Sequence, residues 1–493
     1  MRIRFTNRPR TWCRPAALLC SALAGGCATQ PMHVPGPFPA PLALSEPASP
    51  SPSGMAGEAP IASGDWWTAL NDAAIDVLVP AALADNPTLS QAIARVDEAG
   101  AVLSSRAAQR MPLLQMDLGA ARLRELDHET TPATSAATLG LALRWEIDLF
   151  GRVRNSVNEA SHRLDARHAD ATAARLALTA RVAHTVMALR GCRFAEAVLA
   201  DDIASREVTL DLSEHHLAAG AMAAVDVHRA RAGLAAARTA KAVRGQQCAT
   251  YTNALVALTG RDAASVAALM AGPVESRTAA AQALPLYAQW IMPRAPSYQL
   301  RLPATMLARH PAVLAAEAEL AAASSEIAVA RAERLPRVDL GAALSGQWLR
   351  APSESATGWS IGPALSVPLF DGGRGAANVA GSQARYRLAT AALRGAVRDA
   401  ALNVENALAS SRSAHARLVT TRDAAEAAQA TFDATEAMWR AGASSLFVLE
   451  DSRRQLASAN NDAIAAVQDS SQAWVALVLA CGGSPIIPES ASQ

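Results

Sequence analysis

One arrangement of residues occurs twice in this chain, about 222 residues apart, and any fold has to satisfy both copies. Asn86-Pro87 opens an Ala-rich helical segment that Met111-Pro112 closes, and His310-Pro311 opens a copy closed by Leu335-Pro336. Asp117-Leu118-Gly119 recurs as Asp339-Leu340-Gly341. Leu149-Phe150-Gly151-Arg152 recurs, two residues longer, as Leu369-Phe370-Asp371-Gly372-Gly373-Arg374. Ala219-Gly220-Ala221 recurs as Ala441-Gly442-Ala443. Five matches in one order establish a duplication.

Within each copy the hydrophobic period changes. Leu139, Leu141, Leu143, Trp145, Ile147 and Leu149 alternate with polar Arg144, Glu146 and Asp148, and Leu114, Met116 and Leu118 alternate with Gln115 and Asp117. Val338, Leu340, Ala342 and Leu344 do the same in the second copy, as do Trp359, Ile361, Leu365, Val367 and Leu369. A period of two predicts four two-faced strands, at about 113–123, 137–149, 337–349 and 358–369, joined in pairs by polar loops. After each pair the period becomes helical. Residues 152–219 contain no Pro and a single Gly191, a rod of roughly 100 Å. Every third and fourth residue from Leu178 to Leu217 traces a seam, and Ala400 to Trp439 traces its copy with smaller side chains. Return rods span about 224–260 and 445–481, against outgoing rods at 152–219 and 375–440.

Four strands cannot close on themselves. An open sheet with one apolar face leaves two unpaired edges, which hydrocarbon does not tolerate. Strands of this length with apolar-out, polar-in alternation suit a membrane barrel shared between chains. Two copies give eight strands and a filled interior, three give twelve and a channel; an antiparallel sheet packed on helices is the alternative. Apolar residues make up 51% of the chain but aromatics only 4%, so a thick enzyme-like core is disfavoured. Trp145, Trp348 and Trp359 are the candidate interface anchors.

The first residues read as an address. Five arginines and no acid occupy 1–26, followed by the apolar run Ala16–Ala24. The rest carries 40 basic and 44 acidic groups, which excludes polyanion binding as the main role. Leu23-Ala24-Gly25-Gly26-Cys27 resembles a bacterial lipobox, with Ala24 where Leu or Val is usual, and implies acylation of Cys27; a plain signal peptide is the alternative. A Pro/Ser-rich tether at 27–60 comes next. No later segment is apolar enough for a transmembrane helix. The chain therefore divides into signal peptide 1–26, tether 27–60, first repeat 61–272, equatorial insertion 273–300, second repeat 301–484 and tail 485–493.

Taken in order, these residues resemble the outer-membrane factors of tripartite efflux pumps, the TolC-like family, in its OprM-like and NodT-like lipoprotein branch. Trp66-Trp67, Trp145-Glu146-Ile147-Asp148-Leu149-Phe150-Gly151-Arg152 and Val367-Pro368-Leu369-Phe370-Asp371-Gly372-Gly373-Arg374 carry the likeness. So do Leu302-Pro303, Leu307-Ala308-Arg309-His310-Pro311 and Ala316-Glu317, with His310 and Ala312 departing from the usual Arg and Asp. The resemblance implies a mainly α homotrimer with a membrane β-barrel. Each chain contributes four strands and two long antiparallel coiled-coil hairpins. An equatorial belt would form around 60–85, 261–309 and the C-terminus. It implies a passive conduit for small molecules such as drugs, docked on a periplasmic adaptor and an inner-membrane pump, lipid-anchored in the outer membrane and extending into the periplasm. A type I protein-secretion duct and a structural coiled-coil lipoprotein are the alternatives.

The resemblance also assigns sites. Ala219, Gly220, Ala221, Ala441, Gly442 and Ala443 become the adaptor-docking tips, and Phe447, Asp451 and Asp226 the periplasmic gate. Phe447 and Asp451, four apart, share a helix face, so three copies would ring one axis with phenyls and carboxylates. A surface ion pair of Asp451 with Arg454 or Arg453 is the competing reading. Val448 stands where some relatives have a second Asp, and Ser444 where an Arg would hold Asp226, so that lock is missing. Cys192 and Cys248 each lie 28 residues from Gly220, at similar heights in a hairpin turning there, so a disulfide is expected in an oxidising compartment. A turn centred two residues later would offset them. Cys481 is expected to be a buried free thiol.

No HExxH, Walker loop, GxGxxG or GxSxG stands in a suitable setting, so no catalytic residue, cofactor or metal site is assigned. His215, His216 and His228 cluster near one tip but read as surface helix residues.

Overall fold

The computed structural model describes residues 65–123, 134–271, 307–350 and 353–483. The signal peptide with Cys27, the tether, the 273–300 insertion, Leu302-Pro303 and the 485–493 tail lie outside the described residues. A 3-10 turn, Trp66–Leu70, is followed by α1 (Ala73–Asp85), α2 (Pro87–Ala108), β1 (Leu113–Leu123) and β2 (Thr134–Ile147). Next come α3 (Arg152–Ala218), α4 (Ala224–Thr259) and α5 (Ala263–Ala271). The second copy supplies α6 (Pro311–Ala332), β3 (Arg337–Arg350), β4 (Ser353–Ser366), α7 (Arg374–Arg440) and α8 (Leu446–Ala480). These elements form two compact units. One contains residues 95–168 and 315–394, the other 65–94, 169–271, 307–314 and 395–483.

The first unit carries one antiparallel sheet in the order β1-β2-β3-β4. Its register puts like with like. Leu114, Leu143, Ala342 and Ile361 stand in one cross-strand row, and Met116, Leu141, Leu344 and Trp359 in the next on the same face. The opposite face holds Gln115, Ala142, Ala343 and Ser360, then Asp117, Gly140, Ser345 and Gly358. Since a slip of one residue would exchange the faces, the four apolar alternations must have been matched across all three pairings. Leu118 is 73% and Trp359 79% exposed, and neither outer edge has a partner among the described residues.

The strand ends differ from those expected. β2 stops at Ile147 and β4 at Ser366, so Leu149, Val367 and Leu369 belong to the junctions. Asp148 turns its carboxylate to the Val153 and Arg154 N–H groups at 3.1 and 2.7 Å, capping α3. In the second copy Pro368 has no N–H to continue the ladder. There Asp371 accepts from Gly373 and Gly375 at 2.9 and 2.7 Å, which holds its carboxyl below the usual range. The capping acid thus precedes Leu-Phe in one copy and comes after it in the other. At the loop side the strands begin earlier, at Thr134 and Ser353, because the hydrogen-bond ladder outlasts the apolar alternation. Arg152 clasps Glu146 through both Nε and Nη2, at 2.8 and 2.6 Å, fixing helix to strand.

The second unit holds the hydrophobic core. Trp66, Leu70, Ile75, Leu78 and Val79 pack with Leu178, Val182, Val186, Met187 and Leu189 of α3, Leu255 of α4 and Trp474 and Leu477 of α8. Three tryptophans anchor it, Trp66, Trp67 and Trp474: Trp66 lies 5.8 Å from Trp474 and donates to Thr179 Oγ1 at 3.2 Å. Asp72 caps α1 through the Ala74 and Ile75 N–H groups and accepts from Arg190 of α3 at 3.0 Å. α8 is apolar enough by composition to cross a membrane, but over half of its most apolar stretch is buried in this core. Every one of the copied seam positions from Ala400 to Trp439 is buried or half-buried, and so are those from Leu178 to Ser213; only Leu217 is exposed.

Cys192 of α3 and Cys248 of α4 are joined, with Cα atoms 5.5 Å apart, and Cys481 is a buried free thiol. Burial pushes the Cys481 thiol up to about 12. The bridge closes a loop with a separation of 56 residues, for which chain entropy gives about 4 kcal/mol. Cys192→Ser with Cys248→Ser is expected to lower the unfolding free energy by about 2–4 kcal/mol, read as a lower denaturant midpoint. In the native protein Cys481 should resist maleimide.

Candidate gate and docking turns

The two hairpin tips are built bond for bond alike. At the first, Ala221 N–H donates to His216 C=O at 2.8 Å and Gly220 N–H to Leu217 C=O at 2.9 Å. At the second, Ala443 donates to Met438 at 2.8 Å and Gly442 to Trp439 at 2.9 Å. This nested pair of bonds closes a helix through one left-handed residue, and Gly220 and Gly442 have φ of +70° and +74°. A Cβ at either would meet nothing within 4 Å. Glycine is therefore needed for its backbone conformation, not for room. The tips differ in how the returning helix starts. Ser445 caps α8 by accepting from Val448 N–H, whereas Ala223, the matching residue before α4, has no side-chain cap.

Behind the tips a small apolar cluster joins the hairpins: Ala230 of α4, Trp439 of α7, and Leu446 and Leu449 of α8. It turns α8 so that Phe447, 63% exposed, and Val448 face away from the cluster. Asp451 stands one turn beyond Phe447. It accepts from Arg454 Nη2 at 2.8 Å and from Gln455 Nε2 at 2.9 Å. Asp226 similarly accepts from Arg229 on its own helix at 3.1 Å. Both acids thus carry own-helix partners, and for Asp451 the partner is Arg454 and not Arg453. These are exposed pairs worth little in stability, so neither ties its carboxylate down. All six docking positions except Gly220 and Gly442 are alanines, and all six are exposed.

A group that sequence reasoning missed lies on the other side of α8. Arg206 of α3 and Arg453 of α8 are both buried, with Glu450 between them. The available signal was Arg206 itself, an arginine on an otherwise packed seam, which requires a buried acid nearby. Among the described residues no group of three or more His, Cys, Asp or Glu side chains is placed to hold a metal ion.

The family model for outer membrane efflux protein matches residues 78–261 and 302–483. The chain is 30% identical to outer membrane protein OprJ of Pseudomonas aeruginosa over 489 residues, covering 94% of this chain and 93% of that protein. It is 28% identical to nodulation protein T of Rhizobium leguminosarum bv. viciae, covering 97% and 95%. Among solved structures, the outer-membrane channel OprN superposes with a TM-score of 0.72 at 26% identity, covering 89% of this chain and 98% of that one.

Gly442→Ala should cost about 1 kcal/mol, the left-handed penalty for an ordinary side chain, and Gly442→Asn less, because Asn tolerates that region. Thermal unfolding of the three proteins in one detergent checks the order Gly, Asn, Ala.

Proposed function

We propose, since this chain belongs to the outer membrane efflux protein family, that three copies close into one conduit, with twelve strands as the membrane barrel and twelve helices as the periplasmic tunnel. The protein is an outer-membrane efflux channel. The single observation behind the three-copy reading is the sheet: apolar rows across the middle of one face, a polar opposite face with many small side chains, and two edges with no partner among the described residues. In hydrocarbon each free edge needs a partner strand. β4 runs antiparallel to β3 and so presents the right direction to β1 of a second copy. Twelve strands are enough for a water-filled interior. The small, polar face then lines the passage and the apolar face meets lipid. Transport through such a conduit is passive, and substrate choice and energy belong to an inner-membrane pump joined through an adaptor.

The tip turns supply the adaptor's docking points at Ala219, Gly220, Ala221, Ala441, Gly442 and Ala443, where methyl-sized side chains let another helix approach closely. Phe447, Asp451 and Asp226 form the gate. Three Phe447 rings exclude water from the closed bore, and three Asp451 carboxylates give it a cation preference. The exposed Arg454 partner of Asp451 can swing away when a cation arrives, at little cost. Acylated Cys27 ties the chain to the outer membrane through the Pro-rich tether.

Phe447→Ala with Asp451→Ala is expected to raise the single-channel conductance of trimers in a planar bilayer; conductance equal to the parent's would reject the gate. Cys27→Ser should remove the acyl mass from the mature protein while leaving its trimers in the outer membrane, as read by mass spectrometry of fractionated membranes.

A further inference from the structure

The gate reading leaves unused the most heavily buried charges near the tips. Arg453 is 3% and Arg206 8% exposed. Arg453 donates through Nη1 to Glu450 Oε1 at 2.9 Å, and through Nη2 to Ser205 Oγ at 2.8 Å and Thr209 Oγ1 at 2.7 Å. Its guanidinium lies over the Phe432 ring, 5.5 Å from the centroid, with Glu436 at 4.0 Å. Glu450 also pairs with Arg206, which donates to Asp202 at 2.9 Å. The helix α4 makes way for the group at Gly233, where a Cβ would stand 2.8 Å from Arg206 Nη1 and 3.3 Å from Glu450 Oε2. Four helices therefore meet at one ionic cluster.

The surroundings of the cluster explain why it matters. From Arg206 to the end of α3 the fully buried residues are Arg206, Thr209 and Ser213. On α8, between Leu449 and Ala463, they are Ser452, Arg453 and Asn460. Apart from Leu210 and Leu212, which pack against the small apolar cluster of Trp439, Leu446 and Leu449, the seam offers few bulky knobs, so shape alone resists sliding or rotation less than in the main core. A buried guanidinium resists both, because its fork accepts only one placement of oxygens and any other leaves buried charge unpaired. Its Nε has no hydrogen-bond partner among the described residues.

We propose that Arg453 is a positioning residue for the gate: held by Glu450, Ser205 and Thr209, it sets the register of α8 on α3 and so the direction in which Phe447 and Asp451 face. Only the consequence for conduction rests on the gate reading. Arg453 lies two residues beyond Asp451, about 200° around the helix, so the pinned face and the gate face are nearly opposite. Any rotation that frees the arginine swings the gate pair by the same angle.

The test places spin labels at Val208 on α3 and Ser458 on α8, both exposed, in trimers where labelled subunits are diluted with unlabelled ones. The parent should give one narrow distance. Arg453→Met, of similar volume, should at least double the width of the distribution or shift it, with some loss of thermal stability because Glu450, Ser205 and Thr209 lose their shared donor. Arg453→Lys should not restore the narrow peak, because an ammonium cannot reproduce the fork. Ser205→Ala with Thr209→Val, which leaves the charges in place, should also broaden the peak and serves if Arg453→Met does not assemble. A parent-like distribution in either the Met or the Ala/Val variant overturns the proposal, as does a Lys variant equal to the parent. Broadened distances in trimers whose conductance ignores Phe447→Ala with Asp451→Ala would leave the register role standing and reject the gate alone.

Discussion

The outer edges of β1 and β4 are the constraint on which the rest depends. A strand edge is a row of donors and acceptors, and each needs a partner wherever water is absent. The middle rows of one face are apolar, with Leu118, Trp359, Ile361 and Leu365 all mostly exposed, so that face is made for an apolar medium. A four-stranded sheet of that kind satisfies itself only by joining identical sheets. The duplication gives each chain two strand pairs joined at β2 and β3, and the same kind of junction between copies closes the ring. The helices inherit this arithmetic, since each strand pair continues into one long helical hairpin.

The driving forces along those hairpins are unevenly distributed. In the core around Trp66, Trp474 and Leu189 the buried groups are large and apolar, and the helices are further joined by the disulfide. Toward the tips the small apolar cluster of Ala230, Trp439, Leu446 and Leu449 is interleaved with buried Arg206, Thr209, Ser213, Thr435, Ser452 and Arg453. Burying large apolar groups contributes roughly 1.5–3 kcal/mol each, whereas a satisfied hydrogen bond contributes about 1 kcal/mol net. The tip end is therefore specified more sharply than it is stabilised.

Much of this was legible because two periods, two and three-to-four, print themselves directly on the sequence. The apolar alternation located all four strands, and the Gly-Arg junctions and tip glycines bounded the helices. The strand ends were less legible because hydrogen bonding, not hydropathy, ends a strand. Asp148 ended β2 by capping the next helix, and polar Ser353 could pair without any apolar neighbour to signal it. The disulfide was readable from equal spacing about Gly220. The buried cluster was invisible because it joins residues far apart in the chain, and Glu450, between Leu449 and Asp451, looks like a surface acid until Arg206 and Arg453 are brought around it. The choice between Arg453 and Arg454 as the partner of Asp451 likewise depended on the rotation of α8, which periodicity in an Ala-rich helix does not determine.

The residues facing the proposed lumen argue for where control must lie. Gly140, Gly341, Gly362, Ala142, Ala343, Ser345, Ser360 and Gly358 all stand on the face opposite the apolar rows. Side chains this small leave the interior of a twelve-stranded barrel open, and Asp117, Arg144, Glu146 and Asp339 on the same face keep it wet. A passage so lined can conduct but cannot close. Closure would then fall to bulky or charged groups repeated by symmetry, and the gate proposed above, Phe447 with Asp451 at the second tip, is such a set.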